Sequence, residues 1–345
     1  MKYIIHIILL LLVACAPTQE ITIGVSLPLT GNLAFIGQSG LNAMDLAIEE
    51  VNEKYPYTFS IIYEDDGFQP TQGITNTQKL IWIDSVDVMV SYGSPTGVVI
   101  GPIAEEKNIP HIGIASANLG AIGKYNFNHW TPPKAQAEKL VDYMNKLNIK
   151  KISAITLNHE GGIALRDAVF NELDDIEVLR EEKFTPGTTD FKTIWNKIKE
   201  DNPEMVFFVA QSPEFEHLLK QRRELGIEIP LATIESPDYT DQQELYNNNW
   251  FINAAEPTEE FVNKFETRYG TKPRVFSGNA YDIIHVIADA YAKYDGKATP
   301  EQVVEYLQNL EYKGAMGPFK TDSDGTFVTD AIVKEIREGK SITIT

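Results

Sequence analysis

The stretch VDVMVSYGSP, residues 86–95, sets four apolar side chains within five positions and then turns polar at a glycine. A run this short with turn signals beside it reads as a fully buried strand of a parallel sheet. In open α/β sheets, ligands sit just beyond the carboxyl ends of the strands. Tyr92, Ser94 and Thr96 stand at such an end. The residues alone leave two readings open: a ligand-binding turn centred on Ser94, or one ordinary strand-to-helix turn among many.

Working outward, residues 21–27, 58–63 and 111–115 read as further strands. Residues 28–39 read as a loop. Leu41, Met44, Ile48 and Val51 then fall on one helical face, and residues 70–83 and 98–108 read as helices. This alternation implies a mostly parallel sheet covered by helices on both faces. A second array of the same kind follows, with strands at 151–157, 178–184, 205–210 and 229–233. Its helices fall at 135–147, 163–173, 191–200 and 214–225. The last third holds a strand at 250–254, helices at 259–269, 279–294 and 301–310, and strands at 327–328 and 331–336. Three helices with few strands need an existing sheet to pack on, and the first array supplies the simplest one. The expected architecture is α/β, with two parallel-sheet lobes. The chain crosses between them near residues 128–131, 254–257 and 329–330.

The 345 residues allow two domains, and an apolar fraction of 43% suffices for real cores. A net charge of −19 disfavours nucleic acid and anionic lipid as partners. Six histidines and one cysteine leave little material for a metal centre and none for an intrachain disulfide. Lys2 followed by the apolar run 4–14, broken only by His6, reads as a targeting segment too short to span a bilayer. Its end, Leu12-Val13-Ala14-Cys15, resembles a bacterial lipobox, which implies lipidation of Cys15. A plain secretory signal is the alternative. Residues 16–20 then form a tether, and the expected address is the periplasmic or outer face of a membrane, reached through lipid.

Signatures of catalysis are missing. The chain has no dinucleotide glycine fingerprint, phosphate-binding loop, zinc-protease helix or serine elbow. His111 lies inside a strand and His159 at a strand end, and neither has a nucleophile and an orienting acid at credible positions. No cofactor is expected. What remains is polar residues at strand ends: Ser94 and Ser116 in the first array and Glu235 in the second. A serine hydroxyl and backbone N–H groups satisfy a carboxylate, while a carboxylate satisfies an ammonium. Two such lobes can close over a zwitterion. Taken alone, Glu235 reads more readily as a solvated loop acid, since glutamate is usually exposed.

The segments ITIGVSLPLTG, YEDDGFQPTQG, VSYGSPTG, IPHIGIASAN, TTDFKTIW, ATIESPDY and GAMGPFKTDSDG occur in an order and spacing that covers residues 21–340. In these the chain resembles the branched-chain amino-acid-binding proteins, type I periplasmic solute receptors of ATP-driven importers. The resemblance implies a three-crossing hinge. One lobe would be residues 21–129 with 256–329, the other 130–255 with 330–345. It also implies that Ser94 and groups at Ala115 and Ala117 hold the ligand carboxylate. The Ala115 carbonyl and Glu235 would hold the ammonium. Tyr92, Ser116, Glu160 and Gln211 are further candidates for the pocket. The implied receptor is a monomer that captures an amino acid, or a related amide or urea, and delivers it to a membrane permease. A sensor domain of the same fold is the alternative, and a histidine hydrolase is a remote third.

Three departures bear on the ligand. Ala117 replaces a common threonine, so Ser116 or Asn118 must supply any hydroxyl or amide there. Gly161, with Glu160 beside it, stands where the family usually has an aromatic or acidic side chain, and Gln211 stands at a second aromatic position. Losing both aromatics is expected to open the pocket and make it more polar. That favours a ligand larger or more polar than leucine, with Tyr92, Phe35 and Trp130 as replacement walls.

Overall fold

A computed structural model describes residues 20–344; the apolar amino-terminal segment and Cys15 lie outside the described residues. The chain opens with β1 (Glu20–Leu27), α1 (Ala34–Lys54), β2 (Thr58–Asp65), α2 (Pro70–Trp82), β3 (Val88–Tyr92), α3 (Ser94–Lys107), β4 (His111–Ile114) and β5 (Asn126–Asn128). These five strands are parallel, in the order β2-β1-β3-β4-β5. All five residues of β3 are buried, as a central strand with both faces covered requires.

A second array follows: α4 (Pro133–Lys146), β6 (Lys151–Leu157), α5 (Glu160–Glu172), β7 (Glu177–Phe184), α6 (Lys192–Asp201), β8 (Met205–Val209), α7 (Glu214–Glu224), β9 (Leu231–Ile234) and β10 (Trp250–Ala254). The chain then forms α8 (Glu259–Tyr269), α9 (Ser277–Ala292), α10 (Pro300–Gln308), β11 (Glu311–Gly314), β12 (Gly317–Thr321), β13 (Phe327–Val328), β14 (Ala331–Arg337) and β15 (Lys340–Thr343). The second sheet runs β15-β14-β10-β9-β8-β6-β7, parallel except for β14, which runs against both its neighbours. The strands β11, β12 and β13 make a small antiparallel sheet.

Apolar burial divides accordingly. Ile23, Val25, Val88 and Val90 share one core with Met44 of α1, Phe265 of α8, Ile283 of α9 and Leu307 of α10. The second sheet buries Ile152 and Phe207 on one face and Ile155 and Phe208 on the other, the alternation that strand geometry dictates. The segments between the sheets lie side by side. The Ala255 N–H donates to the Asp330 carbonyl at 2.9 Å, and the hydroxyls of Thr131 and Thr329 are 2.7 Å apart.

Local differences from the sequence reading have physical causes. Helix α1 begins at Ala34, inside the expected loop, because Gly37 and Gly40 serve close packing and not a turn. A Cβ at Gly37 would strike the Pro28 carbonyl oxygen, and one at Gly40 would strike the Tyr92 hydroxyl. Helix α3 begins at Ser94 itself, with Pro95 in its first turn, so the polar turn is a helix start. Strands β5, β11, β12 and β15 have polar or mixed sequences and exist through pairing with neighbours.

Two buried groups in the first lobe titrate in opposition. Burial pushes the His111 imidazole down to about 4, even though its Nδ1 is 2.8 Å from the Asn126 side-chain oxygen. Burial pushes the Asp66 carboxyl up to about 6, although the Phe68 N–H and the Ser26 hydroxyl donate to it. Below the ordinary histidine value the unfolded chain takes up His111's proton first, so this group makes stability fall as pH drops from about 6.5 to 4. The folded chain holds the Asp66 proton longer, so that group makes stability fall as pH rises from about 4 to 6. The two nearly cancel. In Asp66→Asn the opposing carboxyl is gone, and chemical denaturation is expected to show stability rising by about 3 kcal/mol more between pH 4 and 6 than it does in the unmodified protein. The same slope in the variant as in the unmodified protein would contradict the assignment.

Candidate functional site

Strand β3 ends at Gly93, whose φ of 89° and packing against the Phe68 ring both require glycine. Ser94 therefore stands at the first turn of α3 with its side chain at the sheet edge. Its Oγ accepts the Ala117 N–H at 3.0 Å, which leaves the hydroxyl proton free to donate. Across the cleft is the start of α5. An ideal Cβ on Gly161 would lie 2.8 Å from Ser94 Oγ, so glycine is what lets the lobes meet here. Two helix N-termini, each with positive dipole ends and N–H groups lacking intrahelical partners, converge on one point.

The other end of the site is Glu235, 2% exposed. One carboxylate oxygen accepts from Trp130 Nε1 and Gln136 Nε2, both at 2.7 Å. The other accepts from the hydroxyls of Ser116, at 2.7 Å, and Tyr239, at 2.8 Å. Ser116 follows β4, Trp130 lies on the first crossing, Gln136 is on α4 and Tyr239 follows β9, so this carboxylate ties both lobes and the hinge. Its backbone has φ 63°, a left-handed conformation rare outside glycine. Phe68 (φ 63°) and Phe276 (φ 73°) share that conformation, and all three residues line the same cavity. Strain of this kind concentrates where function demands a fixed geometry. The Phe276 ring is gripped by Trp130, Tyr92 and Tyr239, with centroids 4.5, 5.4 and 5.7 Å away.

Between these ends is a cavity of about 30 Å³. About 10–15 Å³ on this measure holds one water, so the space takes roughly two or three water-sized groups. Tyr92, Ser94, Ala115, Ser116, Gln211 and Glu235 all line it. Glu235 is the sole Asp, Glu, Lys or Arg among the described residues that do so. Ala117 does not line it and acts through its N–H on Ser94. The Ala115 carbonyl accepts from Asn128 Nδ2 at 2.9 Å. Glu160 faces an adjoining outer chamber. Phe35 is absent from the lining; Arg274 stacks over its ring at 5.3 Å. Trp130 serves as a donor to Glu235 and not as an apolar wall. Tyr92 is 1% exposed and its hydroxyl has no partner; burial raises its pKa well above the ordinary tyrosine value, so it stays a neutral donor.

Nor is the inner cavity opened by the missing aromatics. Ser94 comes up against Gly161 from the opposite lobe, and Leu33, Ile36, Phe68, Leu165 and Phe276 make the walls largely apolar. Gln136 and Tyr239, which reach Glu235, carried no signal in the sequence. Among the described residues no three His, Cys, Asp or Glu side chains gather as a metal site, and no helix is long and apolar enough to cross a membrane.

Comparisons with known proteins agree with this fold. The Leu/Ile/Val-binding protein BraC3 of Rhizobium johnstonii is 25% identical, over 84% of each chain. The fold matches the branched-chain amino acid transporter substrate binding protein LivJ of Streptococcus pneumoniae, solved with isoleucine. The TM-score is 0.84 at 21% identity, covering 94% of this chain and 99% of that one. It also matches an ABC-transporter solute binding protein of R. palustris, solved with benzoate. There the TM-score is 0.83 at 20% identity, covering 94% and 95%. The periplasmic binding protein family model matches residues 20–341, and the chain belongs to that family of extracytoplasmic solute receptors, which serve ATP-driven importers and are not enzymes.

Proposed function

We propose that this receptor captures an α-amino acid between its lobes and delivers it to the membrane permease of an ATP-driven importer, tethered through lipid at Cys15. The observation that carries the reading is the polarity of the inner cavity. Its one charged side chain, Glu235, faces two converging helix N-termini at Ser94 and Gly161. A ligand carrying only a carboxylate would add a second negative charge to a desolvated space. A zwitterion adds none, and each of its charges finds the opposite wall. The carboxylate takes the Ser94 hydroxyl and the helix starts. The ammonium takes the Glu235 oxygen that Ser116 occupies, and the freed Ser116 hydroxyl turns to the ligand. Closing requires tighter binding to the closed form than to the open one. Contacts drawn from both lobes supply that difference and change the surface offered to the permease.

Titration calorimetry of the mature protein with L-amino acids and their desamino analogues is the test. Amino acids are expected to bind at least about tenfold more tightly than the analogues, and Ser94→Ala to weaken binding about ten- to a hundredfold. Equal or tighter binding of benzoate or 4-methylpentanoate would overturn the reading. Such a result would favour an apolar carboxylate, which the apolar walls and the four donors already on Glu235 would suit.

A further inference from the structure

The inner cavity continues outward. Leu33, Phe68, His159 and Gln211 line both it and a neighbouring chamber of about 360 Å³ at the cleft mouth. The inner space holds an α-carbon with its charged groups and little else, so any longer side chain extends into the chamber past the four residues the two spaces share. This argument rests on the amino-acid reading above.

Polar chemistry in the chamber is specific. His159 caps α5: its Nδ1 accepts the Gly162 N–H at 3.0 Å. That places the proton of the neutral ring on Nε2, where it has no partner. Burial holds the ring below the ordinary histidine pKa, against the pull of the Glu160 carboxylate, so the ring is neutral at pH 7. Gln211 stands within reach of the ring without completing a hydrogen bond to it. The chamber's charged side chains are two acids, Glu160 and the buried Glu214, with no Lys or Arg among its described lining residues. Glu214 receives the Gly187 N–H on one oxygen.

We infer that the chamber is a side-chain subsite for a carboxamide or ureido group. Its carbonyl would accept from His159 Nε2–H, and its N–H groups would donate to the acids and to Gln211. Each alternative fails on one count. A carboxylate meets two acids, a guanidinium or ammonium offers His159 no acceptor, and a hydrocarbon leaves the buried Nε2–H unmatched.

The experiment is calorimetry of the full mature chain with L-citrulline and L-glutamine against L-norleucine, L-glutamate and L-arginine. It is repeated in His159→Asn, which retains a helix-capping oxygen at the place of Nδ1 but sets its amide nitrogen where the ring carries Cδ2, so that no donor reaches the position of Nε2. In the unmodified protein citrulline or glutamine is expected to bind at least tenfold more tightly than norleucine. In His159→Asn that ratio is expected to fall to within about twofold, read as a ratio inside one variant so that any general weakening cancels. If amino acids bind but norleucine or arginine matches the amides, or the ratio survives in His159→Asn, the subsite is wrong and the amino-acid reading stands. If none of the amino acids binds, both fail.

Discussion

Glu235→Ala is expected to lower the unfolding free energy by about 3–5 kcal/mol in chemical denaturation without ligand. Four donors converge on this carboxylate: Ser116, Trp130, Gln136 and Tyr239. All four side chains are buried, so alanine deprives them of their shared acceptor. Each stranded donor costs about 1–3 kcal/mol, though rotation of the two hydroxyls recovers part of that. The strained φ of 63° offers no offset, because alanine tolerates it no better than glutamate. Glu235→Gln retains the shape but turns an NH₂ toward two of the donors, so it is expected to fall between the two. An alanine variant within 1 kcal/mol of the unmodified protein would mean that the network does not hold the hinge and lobes as described.

Gly161→Val is expected to separate stability from function. The first atom of the new side chain would come 2.8 Å from Ser94 Oγ and 3.3 Å from His159 Cε1. The first neighbour belongs to the other lobe and moves away when the cleft opens. The open form therefore tolerates valine, while the closed form must shift backbone or give up the Ser94 contact. Overpacking of this sort costs about 1–3 kcal/mol, which weakens ligand binding by about ten- to a hundredfold. The thermal midpoint without ligand should move little. The upward shift on adding ligand should shrink, because that shift reports binding to the closed state. Unchanged affinity would show that the lobes do not meet at Gly161 when ligand is held.

The outcome at Ser94 and Glu235 illustrates what was legible beforehand. Both lie at strand ends and both line the inner cavity, but position alone singled out only Ser94, since a buried strand followed by a polar turn is a local pattern with a local cause; Glu235 became a candidate through the family resemblance. The two arrays were legible for the same reason: burial on one face or both imposes periods that survive in the sequence. Errors fell where composition and role part company. Gly37 read as a loop residue, yet it sits inside α1, where the Pro28 carbonyl leaves no room for a Cβ. Strand β5, with sequence Asn126-Phe127-Asn128, has no strand pattern and exists because β4 presents an edge to it.

The order of buried strands, the chain's return to its first lobe and the residues at the cleft edge follow from short-range patterning. The state of Glu235 does not. Its partners Ser116, Trp130 and Gln136 lie 119, 105 and 99 residues away in the chain. Nothing local marks a glutamine on α4 or a tyrosine after β9 as a carboxylate's donor. The meeting of Ser94 with Gly161 is of the same kind. A glycine that looked like a missing wall is the space into which the opposite lobe closes. Hydrogen-bond saturation and steric fit depend on distances between chain-remote atoms, and only packing sets those distances.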